Sequence, residues 1–178
     1  MRRLSVLVSV HVLVIGLVAG AALASAKDAS PAATPAVLPP PLDAWDAAWA
    51  SGDIEAILAT YTEDVVFEEV PFNLVVRGQD ELRAHLEAFY AAFPDIKFVV
   101  TGDAFVAGDR AAVEWTATGP YSGQIPGMPP GEGQTVTFRG ASILELEGGK
   151  VRAEREYYDA ASLLAQLGAL PAPGTPTP

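Results

Sequence analysis

Of the 178 residues, the 127 from 42 to 168 have the composition of a folding unit, enough for one domain and too few for two. That stretch holds 21 Asp and Glu against 8 Lys and Arg, a net of −13 against −11 for the whole chain. Such acidity argues against holding nucleic acid or anionic lipid by charge. With no cysteine there is no disulfide framework, thiol nucleophile or thiolate metal site.

Residues 1–26 carry a basic start at Arg2 and Arg3, a long apolar run, and the small-residue end Ala24-Ser25-Ala26. That is the pattern of a signal peptide, with cleavage expected near Lys27. An uncleaved run of ~20 apolar residues is also long enough to anchor the chain in a bilayer. Either route places the domain outside the cytoplasm, with membrane contact confined to this segment. Residues 27–41 form a Pro/Ala-rich linker, and residues 169–178 a Pro-rich tail expected to be disordered.

The core opens with a helix over 42–50, because Leu42, Trp45, Ala48 and Trp49 recur at helical spacing. Asp53 caps a second short helix through Ile54, Ile57 and Leu58. A strand is expected over 64–70, a turn at Pro71-Phe72-Asn73 and a short strand at Val75-Val76. Residues 79–93 give the clearest helix, with Leu82, Leu86, Phe89 and Phe93 as its apolar stripe and Pro94 as its stop. Strands follow near 96–105, 111–118, 134–147 and 150–158, with hairpin turns at Gly108-Asp109 and Gly148-Gly149. A last helix over 160–167 follows Asp159 and ends at Gly168. Segregated helices and strands imply an α+β fold: a curved, mostly antiparallel sheet packed on helices, leaving a pocket at its open end.

The stretch from Trp45 to Gly168 resembles the SnoaL-like polyketide cyclase family of the nuclear-transport-factor-2-like superfamily. The resemblance is carried by Tyr61-Thr62-Glu63-Asp64-Val65-Val66-Phe67, Arg77-Gly78, Gly127-Met128-Pro129-Pro130 and Val136-Thr137-Phe138-Arg139-Gly140. It continues through Gly149-Lys150-Val151, Glu154, Asp159 and Leu163-Leu164-Ala165-Gln166-Leu167-Gly168. It implies a cone-shaped fold, cofactor-free acid/base chemistry with Asp159 as the proton-transfer group, and commonly a homodimer through the sheet. Many relatives carry Trp at the position of Arg155 and His at that of Glu68, so the pocket's polarity is expected to differ here.

Asp159 has two readings, an N-cap for the last helix or a pocket carboxylate with a raised pKa. Strict alternation along the last strand puts Val151, Ala153, Arg155, Tyr157 and Asp159 on one face. If that face is the concave one, Arg155 lies beside Asp159 and binds a carboxylate or enolate oxygen; the alternative is a structural ion pair. Glu68 shares a face with Val66 and Val70, and either turns inward as Arg155's partner or outward to solvent. Trp115 is expected in the core or pocket wall, and Tyr61, Tyr90, Tyr157 and Tyr158 as O–H donors. Met128, in the Gly/Pro-rich loop 119–133, is expected on a partial lid over the pocket. His85, the one histidine outside the leader, is expected to pack or face solvent, which leaves no His-based metal site or triad.

Three functions fit these residues. One is an exported, cofactor-independent cyclase- or isomerase-type enzyme acting on a small, largely apolar carbonyl compound, with Asp159 and Arg155 catalytic. The second is a non-catalytic domain binding the same kind of molecule, and the third a dimeric assembly module.

Overall fold

The first helices form where apolar spacing and capping agree. In the computed structural model, which describes residues 38–40 and 42–170, α1 (Leu42–Ser51) buries Leu42, Trp45, Ala48 and Trp49. Asp53 starts α2 (Ile54–Ala59) by accepting from the Glu55 and Ala56 amides at 2.9 and 3.2 Å, a cap that stabilises by about 1 kcal/mol. The leader, nearly all of the linker and residues 171–178 lie outside the described residues.

β1 (Tyr61–Glu69) runs into a single 3-10 turn at Val70–Phe72, and β2 (Leu74–Arg77) returns antiparallel along it. α3 (Gly78–Ala92) then buries Leu82, Leu86 and Ala92 and stops just before Pro94. The single strand expected over 96–105 is two strands, β3 (Lys97–Val100) and β4 (Phe105–Ala107). Gly102, at φ +82°, breaks them in a conformation that side-chain-bearing residues avoid. Both pair antiparallel with β5 (Arg110–Tyr121).

β6 (Gln134–Glu147) and β7 (Lys150–Tyr158) form the long hairpin, and α4 (Ala160–Gln166) closes the domain. Gly148 and Gly149 both have positive φ, the mirror-image turn whose twist suits a two-residue hairpin. The result is an α+β fold around one open seven-stranded sheet, ordered β2-β1-β7-β6-β5-β3, with β4 also on β5. β1 and β7 are the one parallel pair in that order. Such a pair needs a long connection, here the 80 residues from 70 to 149.

Two irregularities decide which side chains reach the inside. On β7, Glu145 pairs with Ala153 but Leu146 with Val151, so Arg152 is an extra residue in the ladder. On β1 the register with β7 jumps between Tyr61 and Val66. A one-residue insertion reverses the facing of everything beyond it. Past the two breaks, Glu154, Glu156 and Tyr158 look inward from β7, and Val65, Phe67 and Glu69 from β1. The face carrying Arg155, Tyr157 and Asp159 is therefore not the concave one, and of the two readings of Glu68 the outward one holds.

Gly140 is where the sheet admits Trp115. A Cβ built there would stand 2.5 Å from Trp115 Cζ2 and 2.8 Å from the Tyr157 carbonyl oxygen. Gly140→Ala is therefore expected to push the indole into the interior space and to cost about 1–3 kcal/mol. Urea unfolding followed by tryptophan emission checks this, with an unchanged midpoint as the contrary result.

Candidate functional site

α3, β1, β5, β7 and the loop after β5 enclose an open-ended cavity of about 350 Å³. Nine of its lining side chains are aromatic, and Trp49, Phe98 and Trp115 form its innermost wall. Phe98 meets Trp49 at 5.2 Å and Trp115 at 5.5 Å between ring centroids, both edge-on. The Trp115 indole N–H donates to buried Ser142 Oγ at 3.0 Å, which fixes that ring. Ile125, Pro126 and Met128 of the loop complete the wall at the mouth. Gly123 holds this loop against α3, and the Ser122 amide donates to the Ala92 carbonyl at 3.0 Å.

The polar side chains are gathered mostly on β1, β7 and α3. Glu69 and Glu156 are register partners across the parallel pair, so their carboxyls sit side by side on the cavity face. His85 Nε2 lies 3.3 Å from Glu69 Oε1, and Tyr158 stands two residues beyond Glu156 on the same face. Glu156 is only 8% exposed. Burial pushes its pKa well above the usual carboxylate range, and the charges of Glu154 and Glu69 push the same way. Burial likewise raises the Tyr158 phenol, which keeps its proton and remains a donor.

Beneath Glu156 lies a second carboxyl that no solvent reaches. Glu154 Oε2 accepts from Tyr61 Oη at 2.5 Å and from the Trp45 indole N–H at 3.3 Å. Tyr61 Oη in turn accepts from Trp45 and Trp49, each at 3.0 Å. Glu154 Oε1 is buried with no hydrogen-bond partner among the described residues. Burial raises the Glu154 pKa, and the bond from Tyr61 opposes that rise.

The sequence-predicted residues fall into three places. Trp115 and Met128 line the cavity. Tyr61 is buried behind it in the Glu154 network rather than on its surface. Asp159, Arg155, Glu68 and Tyr157 lie elsewhere. Asp159 is exposed and caps α4, accepting from Ser162 N at 2.9 Å and Ser162 Oγ at 2.6 Å, bonds that lower its pKa. Arg155 and Glu68 are register partners on the outer face of the sheet, where Arg155 Nη2 is 3.7 Å from Glu145 Oε1. Tyr157 is 44% exposed. The β7 bulge accounts for Arg155 and Tyr157, because it exchanges the face carrying Arg155 for the face carrying Glu156, while Glu68 lies on β1 beyond its own register break and Asp159 lies past the strand as the α4 cap. Glu69, His85 and Glu156 were not singled out as site residues; Tyr158, one of the four tyrosines expected as O–H donors, does line the cavity.

Raised carboxyl pKa values have a sign. Folding raises the proton affinity of Glu154 and Glu156, so the native state holds more protons than the unfolded chain above the usual carboxylate pKa of 4.5. Their contribution to stability is therefore lost as pH rises through the folded-state values. The protein is expected to melt higher near about pH 5 than near about pH 8, and Glu156→Gln to flatten that dependence. A melting series across that range would count against it if stability rose with pH.

Comparison with known proteins supplies the context. The family profile described as SnoaL-like polyketide cyclase matches residues 42–167. TsrD from Streptomyces laurentii has 25% sequence identity and a TM-score of 0.63, over 72% of this chain and 92% of that one. AclR from Streptomyces galilaeus has 26% identity and a TM-score of 0.62, over 73% and 83%. A protein of ketosteroid isomerase-like fold from Catenulispora acidiphila, solved in complex with trimethylamine, shares 24% identity at a TM-score of 0.60, over 76% and 96%, and bears on the fold alone. No curated protein matches the chain.

Proposed function

The chain belongs to the SnoaL-like polyketide cyclase family, and from that premise we propose that its cavity moves a proton on a small, largely apolar carbonyl compound without a cofactor. The observation that carries this is the pair of adjacent carboxyls, Glu69 and Glu156, on the floor of an aromatic cavity. Asp159, the group that the resemblance implies, has its carboxylate committed to Ser162 outside the lining.

The division of labour follows from the two environments. Buried Glu156 keeps its proton and presents it to the substrate's carbonyl oxygen, as does the Tyr158 hydroxyl. Glu69, with His85 beside it, takes the proton from the carbon next to that carbonyl. The C–H electrons form the new C=C bond, and the carbonyl oxygen accepts the Glu156 proton. Transfer of the Glu69 proton to a different carbon, with the enol O–H proton returning to Glu156, completes an isomerisation; attack of the enol carbon on a second carbonyl, whose oxygen takes the Glu69 proton while the enol O–H proton returns to Glu156, completes a ring closure. The aromatic walls exclude water from the enol intermediate. Export belongs to the same proposal and rests on residues 1–26 of the sequence.

Solvent-deuterium exchange tests the chemistry without knowledge of the natural substrate. Phenylacetone, an aromatic enolisable ketone, is expected to gain deuterium next to its carbonyl in D₂O faster with the protein than with buffer alone. Binding of the ketone with no exchange above buffer would leave a binding domain in place of an enzyme.

A further inference from the structure

The charge on the cavity lining is one-sided. Glu69 and Glu156 line it, and among the described residues no Lys or Arg does, His85 beside Glu69 being its one basic side chain. Among the described residues no Lys or Arg forms an ion pair with the Glu156 carboxyl either, although Glu156 is only 8% exposed. Around that carboxyl, the adjoining cleft is walled by Trp49, Phe98 and Trp115. These rings meet edge to face, at 67° and 71°, and form a corner of π surface beside the acid.

A corner of this kind suits one ligand chemistry. Ring faces attract a positive charge through their quadrupole, more strongly where water is excluded, and a nearby carboxylate adds direct Coulomb attraction. A ligand anion would meet the same elements as repulsion, with no Lys or Arg in the lining to offset it and His85 already engaged by Glu69. Burial first, and then the Glu69 charge, raise the Tyr158 and Glu156 pKa values. Both groups on β7 thus sense the same negative potential.

We infer that the cavity takes a molecule bearing a protonated or quaternary nitrogen, seated where Glu69 and Glu156 meet the rings of Trp49, Phe98 and Trp115. The inference rests on the cavity being the ligand site and adds a basic nitrogen to the carbonyl compound proposed above. One carboxylate suffices to balance the nitrogen, which leaves the other carboxyl free to keep its proton.

The test compares two probes of one shape, benzyltrimethylammonium and its uncharged isostere neopentylbenzene, by quenching of tryptophan emission. The cation is expected to bind at least about tenfold more tightly. Glu69→Gln is expected to shrink that preference while leaving neopentylbenzene binding within about twofold, whereas Glu156→Gln, which exchanges one neutral group for another, should leave the preference in place. Equal affinity, or preference for neopentylbenzene, overturns the cationic ligand and leaves the acid/base proposal standing. Binding of neither probe overturns both. Because the deciding comparison is made on the unsubstituted protein, a variant that fails to fold does not blunt it.

Discussion

Glu156→Gln is expected to lower deuterium exchange on phenylacetone by about 10²–10⁴-fold, the usual contribution of a positioned acid or base. The amide matches the protonated acid in shape and volume, so the cavity and the sheet register are expected to survive. What it removes is the transferable proton. Asp159→Asn is the paired control, because the resemblance-based expectation and the geometry predict opposite results. Asp159 is exposed and bonded to Ser162, and asparagine caps a helix about as well as aspartate. That variant should keep its exchange rate within about twofold and lose only tenths of a kcal/mol. If Asp159→Asn abolished exchange and Glu156→Gln did not, the acid would have been placed on the wrong side of the bulge. The rate against pH adds a second check. Glu156 acts as an acid only while protonated, so exchange should decline as pH rises through its elevated pKa.

The architecture was legible because its signals are local and redundant. The stripe of Leu82 and Leu86, the stop at Pro94, the Asp53 cap and the Gly148-Gly149 turn each specify their own segment. Their segregated order then leads to an α+β sheet. The site was not legible in the same way, because facing on a strand depends on an unbroken count. In β7 the small and apolar residues Val151 and Ala153 lie at odd positions, and the charged Arg152, Glu154 and Glu156 at even ones. Alternation assigns the charged set to solvent. The bulge at Arg152 reverses this beyond Ala153 and carries two glutamates inside. A buried acid is expensive on its own, so the pattern that marks it as functional also hides it from a hydropathy count. One clue was available in the sequence. Trp45, Trp49 and Tyr61, with three N–H or O–H groups among apolar neighbours, need a buried partner, and Glu154 supplies it.

That dependence makes Tyr61→Phe the most damaging conservative change outside the cavity lining. The hydroxyl donates to Glu154 and accepts from both indole N–H groups. Phenylalanine fills the space and leaves all three contacts broken. Trp49 loses its one hydrogen bond among the described residues, and Trp45 keeps only its longer one to Glu154 at 3.3 Å. At about 1–3 kcal/mol for each buried group left unsatisfied, the loss should reach roughly 2–5 kcal/mol. A domain of this size has about 5–15 kcal/mol in total, so the melting temperature should fall by roughly ten degrees or more. The loss should also depend on pH. In the native protein the Tyr61 bond lowers the Glu154 pKa and so helps to hold its charge. Without that bond the carboxyl escapes the cost of a bare buried charge by taking a proton, which acid supplies and alkali does not. Tyr61→Phe should therefore be least destabilising near about pH 5 and progressively worse toward about pH 8. Removing the carboxylate as well, in Tyr61→Phe with Glu154→Gln, should abolish that pH dependence while part of the loss from the orphaned indoles persists. Chemical denaturation of the two variants across the pH range measures both effects. A Tyr61→Phe penalty that did not change with pH would show that Glu154 carries no charge in the folded protein.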